Sequence, residues 1–481
     1  MTGILVPMRI LQVNTADIGG GAEAVAWQLC QWYRRLGHAS WLAVGMKRSQ
    51  CPEVFQISQD QFRSLWTRLW LRFADGLQSL VGTVRGMGRI GKVCGFVIGQ
   101  PGRLLARMRG FEDFSFPGTW HINELPLPAR PEILHCHNLH GAWLSDGGYF
   151  DLSVLPSLSR NVPVVATLHD AWLLSGHCAH SFECERWRTG CGACPDLTIY
   201  PAIWRDATAL NWKRKQKIYA ESRLYVATPS RWLMEKVEQS ILYPALVGTR
   251  VIPNGVDLSI FCPADRRVAR EALGIPQKAK VLLCSAHGVR GNLWKDYLTM
   301  RQAIAKAAAM LRGQEVLFIA LGEESEWEET GEANVRFVSF QDSRTTVAQY
   351  YQAADVYLHA AKAETFSLSI LEGLACGIPV IATAVGGIPE QIDEAQTGFL
   401  VPISDADAMA RRIVQLLTND ELRERFSLDA ARVARGRFDI RDQARAYLAW
   451  FEEIVGHPGF CDTTTVDSDF EFSDVRVSPL A

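Results

Sequence analysis

The sequence predicts an α/β chain of two Rossmann-like domains facing each other across a cleft, and three observations predict it. First, 481 residues make room for two large domains or three ordinary ones, at about 150 residues per domain. Second, short apolar runs alternate with helical patterns in the N-terminal half, the arrangement of βαβ units. Third, the same rhythm restarts after VIPNGVDLSIF. Composition agrees with a folded chain, at 48% hydrophobic and 21% charged residues. Fifty Lys and Arg stand against 52 Asp and Glu, a net charge of -2, which argues against a dedicated nucleic-acid binder. Twelve Cys are too few for a disulfide scaffold, and the opening MTGILVPMRILQVN has no secretory pattern. A reducing, cytoplasmic setting is expected.

The elements follow in order. MRILQVNT is a strand candidate, AEAVAWQLCQWYRRLG a helix ended by Gly37, and SWLAVG the next strand. ILHCH, VPVVATLH and RLYVATPS continue an N-terminal domain placed at 1–255. In a second domain, 256–425, strands at KVLLCSA, EVLFIALG, VRFVSF, DVYLHA and IPVIAT alternate with helices at KDYLTMRQAIAKAA, VAQYYQAA and SLSILEGLACG. Helices over 426–456 are expected to pack back on the first domain. The tail 457–481 is acidic and expected to be disordered, its Asp467 and Asp469 resembling a metal-binding DxD in letters alone. An insert at about 61–125 interrupts the first domain. Residues 61–110 carry nine Arg or Lys against one acid, Asp75, interleaved with Trp66, Leu69, Trp70, Phe73, Leu77, Leu80 and Val81. This reads either as a basic amphipathic surface for anionic lipid or as a helical hairpin with a solvated Arg face.

Open parallel sheets bind ligands beyond their strand carboxyl ends, so the site is expected between the domains. The first strand runs into Gly19-Gly20-Gly21-Ala22-Glu23, a loop opening a helix and able to bring backbone N–H groups to an anion, or simply a tight turn. Gly19, Gly21 and Ala24 satisfy G-x-G-x-x-A, but SWLAVGMK supplies no acid for a ribose, which speaks against NAD. In the second domain Glu364 lies in a loop, and Phe366, Ser367 and Leu368 open a helix whose free N–H groups can hold a diphosphate. Glu372 follows a turn later. Carboxylates beside a phosphate site suit neutral hydroxyls, because like charges repel.

This spacing resembles the E-x7-E signature of the retaining glycosyltransferases of family 4 (GT4), which have the two-domain architecture called GT-B. The likeness extends through Gly20-Gly21-Ala22-Glu23, Thr167-Leu168-His169-Asp170, Thr228-Pro229-Ser230, Ile252-Pro253-Asn254-Gly255-Val256-Asp257 and Ala375-Cys376-Gly377-Ile378-Pro379-Val380. It implies that Glu364 contacts the donor sugar and Glu372 the ribose. Lys295 would pair with the donor phosphates, with Arg290 as candidate second cation in HGVRGNLWKD, which departs from the family's usual pattern. Gly20 and Gly21 would face the diphosphate or the acceptor. His169 would contact the sugar, although a histidine at a strand end taken alone is more often structural; His135, His137 and His140 read as structural, with lining of the acceptor side as the alternative for His137.

The chemistry implied is transfer through an oxocarbenium-like state, with carboxylates stabilising positive charge and Lys295 and helix amides receiving the leaving diphosphate. No cofactor or catalytic metal is required for it. Front-face transfer is favoured over covalent attack by Glu364. Separately, Cys178, Cys184, Cys191 and Cys194, flanked by His177 and His180, are either a structural zinc set or free thiols in a loop at 177–195. The expected function is sugar transfer from a nucleotide-sugar to a glycan or lipid-linked acceptor in surface-polysaccharide synthesis, and the basic insert suggests a peripheral place on the inner face of the cell membrane. The rivals are a nucleotide-sugar epimerase and a glycan-binding scaffold.

Overall fold

The computed structural model describes residues 7–78, 87–112, 114–141, 143–144 and 147–456. Leu80, Val81, Arg85 and the acidic tail, with Asp467 and Asp469, lie outside them. The first sheet contains β1 (Arg9–Ala16), β2 (Ala39–Met46), β3 (Val54–Gln56), β4 (Ile133–Cys136), β5 (Val164–Thr167), β6 (Leu224–Thr228) and β7 (Leu246–Val251), in the order β3-β2-β1-β4-β5-β6-β7. Every neighbouring pair is parallel. Such strands are covered on both faces, which explains near-continuous apolar runs such as that of β1, where seven of eight residues are buried.

The second sheet contains β8 (Lys280–Ser285), β9 (Val316–Leu321), β10 (Glu328–Thr330), β11 (Ala333–Val338), β12 (Val356–His359), β13 (Val380–Thr383) and β14 (Gly398–Val401), in the order β10-β11-β9-β8-β12-β13-β14. Only β10 among the described strands runs antiparallel. In both sheets the order reverses beside the domain's first strand, between β1 and β4 and between β8 and β12. Those switch points open crevices at the strand carboxyl ends.

Helices α1 (Gly21–Arg35), α5 (Leu155–Asn161), α6 (Thr208–Ala220) and α7 (Arg231–Glu238) cover the first sheet, and α2 (Leu65–Gln78), α3 (Met87–Lys92) and α4 (Pro101–Met108) form the insert. Helices α8 (Arg266–Ala272), α9 (Tyr297–Met310), α10 (Arg344–Ala353), α11 (Leu368–Ala375), α12 (Ala406–Thr418) and α13 (Asp420–Arg437) belong to the second domain. The chain returns later than the expected residue 426. Ala430 and Ala434 of α13 sit in the same core as Leu371 and Leu374 of α11. Among the described helices of this C-terminal stretch it is α14 (Ile440–Gly456) that crosses over, burying Tyr447 and Phe451 against Ile10, Leu29 and Tyr33. Its apolar stripe fits that sheet face, whereas α13 offers small alanines to α11.

The insert also departs in part from a uniformly basic face. Arg63 and Arg103 are buried, and both donate to the Gln100 side-chain oxygen. Leu65, Trp66, Leu69, Phe73, Ile90, Val93, Val97, Leu105 and Met108 are exposed instead. Among the described residues no helix is long and apolar enough to cross a membrane.

Candidate active site

The loops carrying the expected site residues leave β1, β4, β5, β8 and β12 at their carboxyl ends, and the two domains touch through them. A Cβ added to Gly21 would lie 3.8 Å from Leu368 Cδ1, so the glycine loop faces the start of α11. The Thr365 hydroxyl donates to the His169 carbonyl at 2.6 Å. The Glu390 carboxylate accepts the Arg231 and Trp232 N–H groups at 2.8 and 2.9 Å, capping α7 from the other domain.

Within the second domain, Lys295 Nζ donates to Glu364 Oε2 at 2.8 Å and to His359 Nε2 at 2.9 Å. Burial opposes ionisation of Glu364, but the Lys295 ammonium outweighs it and holds the carboxyl well below the usual carboxylate range. His359 is pushed down to about 4 by burial, with Lys295 adding to the effect. It is neutral, accepts from the ammonium, and leaves its other nitrogen 3.4 Å from the Tyr357 hydroxyl. The result is a fixed carboxylate with a cation beside it. Gly386 secures the same loop: its φ is +58°, and a Cβ there would fall 1.8 Å from the Glu364 carbonyl oxygen.

Glu372 behaves oppositely. Burial pushes its carboxyl up to about 7, with Arg344 and Tyr351 countering in part. The Tyr351 hydroxyl donates to Glu372 Oε2 at 3.0 Å. The start of α11 differs from the expectation of several free N–H groups. The Ser367 N–H is already donated to Gln391 Oε1 at 2.9 Å, and Gln391 Nε2 returns a bond to the Ser367 carbonyl at 2.8 Å. No side chain caps the first turn at Ser367, so the next amides, from Leu368 onward, remain the ones oriented for an anion. Phe366 is buried in the domain core, 6.0 Å ring to ring from Phe438.

Arg290 is engaged by neighbours of its own. Its guanidinium pairs with Glu323 and Glu328 and lies 4.7 Å over the Phe337 ring. In the first domain, Gly20 is the N-cap of α1. The Asp17 carboxylate holds the loop by accepting the Arg48 and Ser49 N–H groups, both at 2.8 Å. His169 is joined to His137, Nε2 to Nδ1, at 3.0 Å. His140 pairs with Asp170 at 2.6 Å and meets the Tyr200 hydroxyl at 3.2 Å. His135 lies 2.8 Å from Thr167, which in turn meets Tyr447 of α14 at 2.8 Å.

The four loop cysteines are free thiols. Cys191 Sγ accepts the Gly176 N–H at 3.3 Å, and Cys194 Sγ lies 3.4 Å from His177 Nε2. Among the described residues no three His, Cys, Asp or Glu side chains converge as a metal ligand set. Cys178, Cys184, Cys191 and Cys194 therefore do not fit a zinc site as they are arranged. Sequence reasoning also missed His359, Thr365, Gly386, Glu390 and Gln391. For His359 a signal was present, a histidine closing an apolar strand that leads into Glu364; the others depend on contacts distant in sequence.

Two family models match the chain, Glycosyltransferase Family 4 over residues 19–260 and Glycosyl transferases group 1 over residues 265–433. The putative colanic acid biosynthesis glycosyl transferase WcaC of Escherichia coli K12 is 28% identical over 260 residues, 53% of this chain and 60% of that protein. The D-inositol 3-phosphate glycosyltransferase of Saccharomonospora viridis is 31% identical over 218 residues, 43% of this chain and 50% of that one. The matches thus span 60% and 50% of these relatives' length. Among solved structures, sucrose-phosphate synthase from Thermosynechococcus elongatus superposes with a TM-score of 0.57 at 15% identity, covering 93% of this chain and 99% of that one. Anabaena HepE in complex with UDP-glucose gives 0.56 at 18% identity, covering 92% and 100%. At these identities the likeness is one of fold, the two-domain GT-B architecture.

Proposed function

The chain belongs to glycosyltransferase family 4, and from that premise we propose that it transfers a sugar, with retention, from a nucleoside-diphosphate donor to a glycan or lipid-linked acceptor of a surface polysaccharide. The observation that carries this reading is the contrast between two carboxylates eight positions apart. Glu364 is held ionised by Lys295, while burial raises the Glu372 carboxyl to about 7. The first suits a reaction centre that becomes positive, and the second suits the hydroxyls of a ribose.

In this reading Lys295 and the first amides of α11 receive the diphosphate, Gly20 and Gly21 close over it from the other domain, and His169 meets the sugar. Developing positive charge at the anomeric carbon lies beside Glu364. The departing phosphate oxygen takes the proton of the attacking acceptor hydroxyl on the same face, so that the glycosidic bond forms as the phosphate bond breaks. The relative named for colanic acid biosynthesis supports a polysaccharide role, and the neighbour bound to UDP-glucose supports a nucleotide-sugar donor. The exposed apolar row of the insert, with Arg72, Arg89 and Arg109 also exposed, supports docking on an anionic membrane surface.

Thermal-shift measurements with UDP, GDP, ADP and their sugar conjugates test the donor reading. A ligand at 100 times its dissociation constant adds about 2.7 kcal/mol to stability. A selective shift that disappears in Glu372→Ala is expected, together with loss of most turnover in Glu364→Gln. Full function in Glu364→Gln would instead favour a glycan-binding scaffold.

A further inference from the structure

The side chain of Gln12, on β1, is buried between α1 and His137. Two of its neighbours have roles fixed by the backbone: the Ala26 carbonyl can only accept, and the Cys30 amide can only donate. The Gln12 NH2 therefore faces the Ala26 carbonyl at 3.1 Å and His137 Nε2 at 2.9 Å, while its oxygen takes the Cys30 N–H at 2.8 Å. His137 Nε2 is thus an acceptor. Burial, with His135 and His169 alongside, holds His137 well below its ordinary value, so it is neutral and carries one proton. That proton sits on Nδ1, which lies 3.0 Å from His169 Nε2. His169 Nε2 is then an acceptor in turn. His169 is itself pushed down to about 4 by burial, so its single proton is on Nδ1, which has no hydrogen-bonding partner among the described residues.

We infer that Gln12 and His137 are positioning residues that set the tautomer of His169, so that His169 meets the sugar as a neutral N–H donor through Nδ1 and not as a base. The ligand class that such a donor serves is a sugar hydroxyl or ring oxygen. The direction of the chain follows from backbone groups that cannot change role: Cys30 and Ala26 orient Gln12, Gln12 orients His137, and His137 orients His169. The same residue is held from the opposite side, because Thr365 of the other domain donates to its carbonyl. The ring is set by the first domain and the backbone by the second, so His169 reaches its full geometry with the domains in contact. The sugar contact rests on the proposed function; the tautomer does not.

Nitrogen-15 spectroscopy of the full chain, labelled at histidine and assigned by single His→Asn variants, reads the tautomers directly at neutral pH. His137 and His169 are both expected with a protonated Nδ1 and a bare Nε2. Gln12→Glu replaces a donor by a pure acceptor, so it should draw the His137 proton to Nε2 and make His169 Nε2 the donor, reversing both rings. Turnover of UDP-glucose, or of whichever GDP- or ADP-sugar stabilises the chain best, should fall at least tenfold in Gln12→Glu while the matching free nucleotide binds as before, since Lys295 and α11 lie on the other domain. If Gln12→Glu does not fold, Gln12→Leu removes the constraint and should give a mixture of tautomers at both histidines. A wild-type His169 protonated on Nε2, or doubly protonated, overturns the inference. Tautomers as stated with full turnover in the reversed variant would overturn the sugar contact and leave the relay standing.

Discussion

Glu372 gives a prediction whose sign and size both follow from its surroundings. Its carboxyl is raised from an ordinary 4.5 to about 7, chiefly by burial. At about 1.4 kcal/mol per pKa unit this sets a ceiling of about 3 kcal/mol on the cost of ionising it in the empty site. Water reaching the half-buried side chain lowers the expected figure to roughly 1–2 kcal/mol. The folded chain holds this proton more tightly than the unfolded chain, so the contribution is complete below pH 4.5 and is lost as the pH rises through about 7. Glu372→Gln keeps the shape and removes the charge. Denaturation curves of the two proteins should therefore nearly coincide below pH 4.5 and diverge above it, with the variant gaining in relative stability until the pH passes about 7. Nucleotide binding should run the other way. Ribose hydroxyls donate best to an ionised carboxylate, so affinity should rise about tenfold per pH unit up to about pH 7 and then flatten, while Glu372→Gln binds weakly with no such slope. Calorimetric titration with the best-bound nucleoside diphosphate across this range is the assay. A wild-type affinity independent of pH, or a variant that keeps the wild-type slope, would refute the assignment of Glu372.

Three other outcomes are expected. Gly386→Ala would drive a Cβ to within 1.8 Å of the Glu364 carbonyl oxygen, shifting that loop. Turnover should fall about 100-fold, the usual cost of a displacement near 1 Å, with the circular dichroism spectrum retained. Lys215 is fully buried and donates to Glu112 at 3.0 Å, to the Trp172 carbonyl at 2.8 Å and to the Ser175 carbonyl at 3.0 Å. Lys215→Met should cost about 3–5 kcal/mol in urea denaturation by stranding Glu112, and adding Glu112→Gln should recover part of it. Leu69→Ser and Phe73→Ser change exposed side chains, so stability should hardly move. In flotation with anionic vesicles each should weaken binding roughly tenfold, from about 1.5 kcal/mol of lost apolar burial. Unchanged flotation would remove the membrane role of the insert.

What could be read in the sequence was what is local. The strands that form long apolar runs, β1 and β9 above all, declare themselves because a parallel sheet is covered on both faces. The short β3 and β10 have three residues each, and β7 has only half-buried and exposed positions, so neither kind offers a buried run to detect. Glu364 and Glu372 were legible for the same reason, since one strand, one loop and one helical turn contain both. The Ser367 amide was misread for the complementary reason. Counting free N–H groups at a helix start is a local rule, and here Gln391, beyond β13, supplies an acceptor the rule cannot see. Arg290 is a candidate through the family resemblance, which does not foresee that Glu323 and Glu328 pair with its guanidinium. The chain from Gln12 to His169 is the extreme case. Gln12, His137 and His169 belong to three separate segments, and only the sheet order β1-β4-β5 makes them neighbours. Each reads alone as a buried polar residue on or after a strand, which for His137 suggests structure before function. Its role follows from direction: a hydrogen-bond chain has a sense, and that sense is fixed by two backbone groups on α1 that no motif includes.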